Sequence, residues 1–197
     1  MEHIRRFYRG GIVNMEINKV SQTEWIDTAT QYIQGGLHKI AYVVVDSPVV
    51  ITHRRTQVDE AKCAEMGYSV VESYNNAGTI ISNAGDVLIG HIAEPENGWY
   101  NRFIAYFIEW LKAKGLNAEF VSNDIVVDGY KVCGMCITRY GRIDYTGGII
   151  SINVNLDDIK AICRKPMVKV PKGLSDYGIT SEEIEEMFLD FCREDRG

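Results

Sequence analysis

Apolar and polar residues alternate along this chain with two different periods, which separate predicted helices from predicted strands. The helical period occurs over residues 23–34, 57–68, 98–115, 156–164 and 180–195. The longest of these helices is predicted to bury one apolar face, made by Phe103, Ile104, Phe107, Ile108 and Leu111, and to end at Gly115. The last is predicted to open with a capping box, with Thr180 as the N-cap and Glu183 three residues on.

Short β-branched runs bounded by turn residues predict strands in most of the remainder. "KIAYVVVDSPVVITH" is predicted to be a hairpin, and three strands are expected in "SVVESYNNAGTIISNAGDVLIGHI". Four more runs follow the longest helix: "AEFVS", "DIVVD", "YKVCGMCITR" and "GGIISINVN". Strands outnumber helices and short turns join them, so we expect an α+β fold with a mixed, largely antiparallel sheet flanked by helices. Without a repeat or linker, residues 1–197 are expected to form one domain with one continuous sheet.

Composition narrows the possible functions. Hydrophobic residues make up 46% of the 197 positions, which is enough for a packed core. The net charge of −6 disfavours a nucleic-acid partner, because phosphate binding needs a basic surface. No stretch predicts a membrane span, and the first residues do not resemble a signal peptide. Five scattered cysteines without a secretory signal indicate a reducing compartment, so we expect a cytoplasmic protein.

The motif "CGMC" at residues 133–136 raises the alternatives of a zinc site or a redox pair. Such motifs normally open a helix or sit in a turn with a second cysteine pair, whereas this one lies in a strand pattern and has no second pair. On a strand, Cys133 and Cys136 point to opposite faces. We therefore interpret both as small apolar strand residues and expect no structural metal.

Lys131 is the most unusual residue of the stretch "SNDIVVDGYKVCGMCITRYGRIDYTGG". The pattern places it inside a half-buried hairpin, where an ammonium group has to meet an anion or a polarised carbonyl. The alternative is a surface lysine whose stem covers apolar residues at a sheet edge. From Lys131 alone the surface lysine is the favoured interpretation, and only together with the Asn-Asp pair and the turn before it is a catalytic or binding role preferred.

The segment "NDIVVDGYKVCGM" resembles the central motif of the biotin–protein and lipoate–protein ligase superfamily. There, an Asn-Asp pair precedes a strand, and a lysine and a glycine lie on the return strand; the matching residues here are Asn123, Asp124, Gly129, Lys131 and Gly134. Further similar stretches follow the family's order: "DSPVVITHRR", "GYSVVESYNNAGTIISNAGDVLIGHI", "GGIISINVNLDDIKAIC" and "KGLSDYGITSEEI". The resemblance covers residues 25–190 and implies a mixed sheet flanked by helices, with an acyl tunnel over one face.

This resemblance also implies an activity. Members of the superfamily pass an acyl group, such as lipoyl or octanoyl, to a lysine of a carrier protein such as a lipoyl domain, and the ligases use ATP and Mg²⁺. Lys131 would then stabilise the negative charge that develops on the acyl carbonyl oxygen in the transition state. Asn123, Asp124 and Gly134 would bind the substrate beside it.

The lipoyl-binding loop departs from the family pattern of two arginines, a serine and three glycines. Glu72 and the residue after it replace the arginines, Asn75, Asn76 and Ala77 replace the serine and two glycines, and Gly78 is kept. Asparagine tolerates left-handed backbone geometry, so these four positions are still expected to bind substrate. Because Glu72 has the wrong charge for an adenylate, we expect weak binding of ATP.

The stretch "VPKGLSDYG" separates two branches of the superfamily. Octanoyltransferases have a cysteine nucleophile where this chain has Lys172. A thioester intermediate is therefore excluded at this position. The "KG" pair found here is similar to the ligases. We predict that Lys172 binds substrate. Three hypotheses remain: an ATP-dependent ligase, an ATP-independent acyltransferase, and an inactive relative that binds an acyl chain, a nucleotide or a protein. The accessory C-terminal domain of the large ligases is not expected.

Overall fold

The computed structural model describes residues 39–72, 78–93 and 98–195, so the helix predicted over residues 23–34 lies outside the described residues. The described residues form nine strands: β1 (Lys39–Val44), β2 (Val49–Thr52), β3 (Ser69–Glu72), β4 (Ile80–Ser82), β5 (Val87–Ala93), β6 (Ala118–Val121), β7 (Asp124–Val127), β8 (Tyr130–Tyr140) and β9 (Ile143–Ile150). Their helices are α1 (Glu60–Glu65), α2 (Trp99–Ala113), α3 (Leu156–Ile162) and α4 (Ser181–Glu194), with 3₁₀ turns at Arg55–Gln57 and Leu174–Tyr177.

The strands form two sheets. Six of them make an antiparallel sheet in the order β1-β5-β9-β8-β7-β6. The other three make a smaller sheet in the order β3-β2-β4, in which β2 runs parallel to β3 and antiparallel to β4. The predicted α+β class, with mixed and largely antiparallel strands flanked by helices, is confirmed, but the strands divide between two sheets where one was predicted.

The hairpin predicted for residues 39–53 is wrong. β1 pairs with β5, and β2 pairs with β3 and β4. Val43 and Val45 from the β1 segment, together with Val49 and Ile51 from β2, belong to one buried cluster between the two sheets. The two strands therefore pack face to face. A run of buried β-branched residues does not distinguish this packing from edge-to-edge pairing.

The two sheets and the helices make four layers. α2 and α4 pack on one face of the six-stranded sheet, which we call the helix face, around a core that includes Trp99, Phe103 and Phe188. The opposite face, which we call the inner face, packs against the three-stranded sheet. α1 and α3 cover the outside of the smaller sheet through Cys63 and Ile162. The inner face is therefore the one that lies between two sheets.

Helices α2 and α4 form as the sequence predicts. α2 buries Phe103, Ile104, Phe107 and Leu111, and the chain leaves it at Gly115 with a φ of +83°. The capping box of α4 is present, because Thr180 accepts from the Glu183 amide while the Glu183 carboxylate accepts from the Thr180 amide. No helix among the described residues is both long and apolar enough to cross a membrane.

A buried carboxylate ties the start of β5 to the end of β9. Asp86 Oδ1 accepts from the amides of Ile152 (2.7 Å) and Asn153 (2.9 Å), and Oδ2 accepts from the amide of Asn83 (2.8 Å) and the hydroxyl of Ser82 (3.1 Å). Burial raises the pKa of Asp86, and these four hydrogen bonds oppose that rise. The contacts hold the chain in place where it leaves β9.

Candidate functional site

A β-bulge at Val132 determines which way Lys131 points. Ile125 of β7 lies opposite Cys133, but the next residue of β7 lies opposite Lys131, so Val132 is an extra residue on β8. Val132 and Cys133 are both fully buried in the core of the helix face. The extra residue shifts the alternation of side chains and places Lys131 beside Gly134, on the inner face.

Asp124 lies between two lysine ammonium groups. Its Oδ1 is 2.8 Å from Lys131 Nζ, and its Oδ2 is 2.8 Å from Lys169 Nζ. Lys169 Nζ also donates to the carbonyl of Val121. The Asp124 side chain is 18% exposed and those of Lys131 and Lys169 are 34% and 20% exposed, so water screens these contacts only in part. The three side chains together carry one net positive charge and hold the Lys131 ammonium in one place.

Gly134 provides the space that the Lys131 side chain occupies. A Cβ at position 134 would lie 2.9 Å from Lys131 Nζ, 3.1 Å from its Cε and 3.5 Å from Asp124 Oδ1. A larger residue would push the ammonium away from the sheet. The glycine therefore lets a lysine lie flat against the backbone of its own strand.

Two turns with left-handed backbone flank β7, one joining it to β6 and the other joining it to β8. Ser122 and Asn123 have φ values of +50° and +69°, and Asp128 and Gly129 have φ values of +51° and +83°. Positive φ at two successive residues is typical of an Asp-Gly hairpin turn. The Asn123 carbonyl accepts from the Met135 amide at 2.7 Å. Asn123 contributes to this geometry through its backbone.

Residues 168–173, which we call the strap, run beside Lys131. The Lys131 amide donates to the Val170 carbonyl at 3.0 Å, and the Lys172 amide donates to the Lys131 carbonyl at 2.9 Å. A parallel bridge between Lys131 and Pro171 results. Gly173 then passes so close to the Ile152 carbonyl that a Cβ there would collide with it. The strap thus extends the sheet beside Lys131 and brings Lys169 to Asp124.

Lys172 meets the site through its backbone, and its ammonium lies elsewhere. Its Nζ is 4.2 Å from the ring centroid of Tyr177 and 5.4 Å from that of Tyr130. These are cation–π distances. The backbone of Lys172 therefore lies next to Lys131, while its ammonium lies over the rings of Tyr177 and Tyr130.

Small residues continue from Lys131 across the inner face. Gly90 on β5 is paired with Gly147 on β9, and Gly147 is paired with Cys136 on β8. Gly134 lies two residues from Cys136 and therefore on the same face. We call Gly134, Cys136, Gly147 and Gly90 the trough. Burial raises the pKa of the Cys136 thiol, so it stays protonated and apolar at neutral pH.

The loop expected to bind the acyl group is described only at its two ends. Asn75, Asn76 and Ala77 lie outside the described residues. Gly78 is exposed, and a Cβ there would meet no atom within 4 Å. At the other end, the carboxylate of Glu72 is 3.6 Å from Arg55, which also pairs with Glu60 at 2.8 Å.

The profile of one protein family, the lipoyl protein ligase A/B catalytic domain, matches residues 22–188. The chain belongs to this family. The match spans the bulge, the lysine pair, the trough and the strap. The predicted membership of the lipoate and biotin ligase superfamily is therefore confirmed. No curated protein sequence matches the chain.

Solved structures of lipoate–protein ligases have the same fold. A bipartite lipoate–protein ligase from Thermoplasma acidophilum, studied with its E2 lipoyl domain, superposes with a TM-score of 0.73 at 13% identity and covers 92% of this chain and 84% of its own. A structure from the same organism with bound lipoic acid gives 0.73 at 13% identity, covering 91% and 84%. A lipoate–protein ligase A bound with ATP gives 0.74 at 14% identity, covering 91% and 83%. At these identities the likeness shows the fold alone.

In this member of the lipoyl ligase family, sequence reasoning found part of the arrangement around Lys131. The structure places the Asp124 carboxylate and Gly134 beside the Lys131 side chain. Sequence reasoning missed Lys169, although "KPMVKVPKG" places this lysine between two valines, Val168 and Val170, which the structure leaves exposed. It also missed the bulge at Val132, because an extra residue in a strand leaves no mark in composition.

The two cysteines of the CxxC motif lie on opposite faces, as predicted. Cys133 is fully buried in the helix-face core, and Cys136 is part of the trough. Neither forms a disulfide. Within residues 39–72, 78–93 and 98–195, no three His, Cys, Asp or Glu side chains are grouped as they would be for a metal ion.

Proposed function

We propose that the chain is a lipoate–protein ligase-like acyltransferase that attaches a lipoyl- or octanoyl-type acyl group to a lysine of a carrier protein. The observation that supports this most strongly is the position of Lys131. Its ammonium lies beside Gly134, where the trough begins, and Asp124 holds it at 2.8 Å. An acyl chain in the trough would place its carboxyl end at this ammonium.

The chemistry of acyl transfer needs a fixed positive charge at that end. The amine of the acceptor lysine attacks the carbonyl carbon, the leaving group departs, and an amide forms. Negative charge collects on the carbonyl oxygen between those events, and a preorganised ammonium stabilises it without having to move. Asp124 and Lys169 would act as positioning residues, because they restrict where the Lys131 Nζ can lie.

The net positive charge of this group also fits a phosphate. ATP would be the co-substrate that converts the carboxylic acid into a better acyl donor. Lys131 is the residue that would contact its phosphate, while Lys169 adds positive charge from behind Asp124, and Mg²⁺ usually enters such sites together with phosphate oxygens. Arg55 is a weaker candidate, because two carboxylates already surround it.

The acceptor proposed for this chain is a lipoyl-domain-type protein. A similar structure, the bipartite ligase from T. acidophilum, is named together with an E2 lipoyl domain. We propose no role in binding nucleic acid or membranes. We propose that these residues act in the cytoplasm as one catalytic domain, alone or together with a separate subunit.

A second candidate is a catalytically inactive relative that binds an acyl chain, a nucleotide or a protein partner. Glu72 favours it, because this residue stands where the family usually has an arginine and its carboxylate faces Arg55 at 3.6 Å. Under this alternative the trough would still bind an acyl chain, and no transfer would follow.

The test is to incubate the purified protein with ATP, Mg²⁺ and lipoate, octanoate or biotin, with and without a lipoyl domain. AMP and the mass of the lipoyl domain are then measured. We expect an acylated lipoyl domain with a lipoyl- or octanoyl-type donor, and AMP formed beside it would indicate the ATP-dependent route. A pre-activated octanoyl thioester in place of acid and ATP tests the ATP-independent route. Binding of octanoate with no product by either route would favour the inactive relative.

A further inference from the structure

The trough contains two glycines that face each other across the middle of a sheet. Gly90 and Gly147 are paired on β5 and β9, and both are buried. Glycine inside a strand is less favourable than alanine, so it usually marks a place where another group lies against the backbone. At Gly147 the structure shows which group this is.

The ring of Tyr145 is that group. A Cβ at position 147 would lie 2.9 Å from the Tyr145 Oη, 3.0 Å from its Cε1 and 3.2 Å from its Cζ. Tyr145 is two residues before Gly147 on β9, and its ring folds over onto the backbone of its own strand. Gly147 therefore has no exposed surface to offer while the ring stays in this position.

The neighbouring glycine has a different explanation. A Cβ at Gly148 would point to the helix face, where it would lie 2.5 Å from Met135 Sδ and 3.0 Å from Ile89 Cγ1. Gly148 is thus required by packing of the core. Gly147 faces the other way, so the core does not explain it.

Tyr145 lies where the trough changes from partly open to closed. Gly134 and Cys136, next to Lys131, are partly exposed, whereas Gly147 and Gly90 are buried. The Tyr145 ring packs against the apolar cluster between the two sheets. An acyl chain whose carboxyl end meets the Lys131 ammonium over Gly134 would run along Cys136 and then meet this ring.

We propose that Tyr145 sets the length of acyl chain that the site accepts, by closing the trough over Gly147. This inference rests on the proposed function, since it assumes that the trough holds an acyl chain. Removing the ring frees the space over Gly147, which should admit longer saturated chains. The hydroxyl is not needed for this effect, because the ring itself fills the space.

The experiment compares the parent with Tyr145→Ala, with Tyr145→Leu as a second variant that keeps more apolar contact. Tyr145→Phe is the matched control. Binding of octanoate and dodecanoate is measured by calorimetry, and acyl transfer is measured with the same two acids. We expect the preference for dodecanoate over octanoate to rise about tenfold or more in Tyr145→Ala and Tyr145→Leu and to stay unchanged in Tyr145→Phe.

The outcomes separate the two proposals. If the parent binds octanoate and the alanine and leucine variants keep its preference, Tyr145 does not set chain length, and the proposed function stands. If neither the parent nor any variant binds either acid, the acyl trough itself is wrong and both proposals fall. Circular dichroism and thermal melts show whether each variant is folded, and the leucine variant serves if alanine is not.

Discussion

Lys131 Nζ lies 2.8 Å from Asp124 Oδ1, although the two residues are not paired across β7 and β8. A β-bulge on β8 lies between their positions. Without Val132 as the extra residue, Lys131 would point into the core of the helix face, where Val132 and Cys133 are fully buried. The pair therefore depends on a local defect of the sheet. Asp124 also contacts the Lys169 ammonium, so the carboxylate that holds Lys131 is itself fixed in position.

The first prediction concerns Lys131 itself. Lys131→Ala should lower acyl transfer about 100- to 1000-fold, the usual effect of removing one preorganised donor to a developing oxyanion. The melting temperature should change little, because the side chain is 34% exposed. Lys165→Ala, at an exposed lysine before the strap, is the control and should keep full activity. Equal activity in Lys131→Ala and the parent would exclude Lys131 from the reaction.

The second prediction assigns Lys169 to positioning. Lys169→Met should lower kcat about fivefold to tenfold with a smaller change in KM, because Asp124 and the Lys131 ammonium lose a common anchor. In an Asp124→Asn background the same substitution should have little further effect, which corresponds to a coupling of about 1 kcal/mol. Lys169→Arg should recover part of the loss. Additive effects of the two substitutions would contradict this assignment.

The third prediction is weak binding of ATP. Glu72 stands where the resemblance to the family loop predicts an arginine, and its carboxylate carries the charge that repels phosphate. Calorimetric titration should give little heat with ATP, and Glu72→Gln should strengthen the binding. Tight binding of a non-hydrolysable acyl-adenylate mimic by the parent would instead favour the ATP-dependent ligase. No heat with either compound would favour a pre-activated donor or the inactive relative.

The fourth prediction concerns the CxxC motif. Replacing Cys133 and Cys136 with serine should leave the zinc content at zero and lower stability modestly, by about 1–3 kcal/mol for a hydroxyl buried without a partner. Most of the loss should come from Cys133, since it is fully buried. Elemental analysis and urea unfolding measure the two quantities. One zinc per chain in the parent protein would overturn the interpretation of these residues as apolar.

The fifth prediction is a dependence of stability on pH at α4. A hydrogen bond from Lys114, together with the Thr180 amide, holds the pKa of Glu183 below its usual value of 4.5. Because the folded state binds this proton less tightly than the unfolded state, the stabilisation is present above about pH 4.5 and disappears as the pH falls through the lower folded value. Melting temperatures of the parent and Glu183→Gln should therefore differ at pH 6 and converge toward pH 3.

Glu186→Gln is the control for that measurement, because Glu186 is an exposed residue of the same helix. Its melting curve should follow the parent at every pH. A constant difference between the parent and Glu183→Gln over the whole range would mean that the capping geometry, and not the ionisation of Glu183, sets the stability.

Local signals in the sequence were sufficient for some elements and insufficient for others. The capping box of α4 and the apolar face of α2 depend on residues three or four apart, so the pattern contains them. The contact of Lys169 with Asp124 joins positions 45 residues apart, and only the path of the strap brings them together. The packing of β1 against β2 could not be predicted either, because their valines meet between the two sheets and a β-branched run does not indicate which sheet a strand joins.

The Lys131 amide donates to the Val170 carbonyl, so its backbone proton is protected from exchange by the strap. Amides that donate to a neighbouring strand exchange with deuterium only when the strands separate. The Lys131 amide is protected by the strap, so it exchanges whenever residues 168–173 lift away. Exchange at this single position therefore follows the opening of the strap independently of the unfolding of the sheet beneath it.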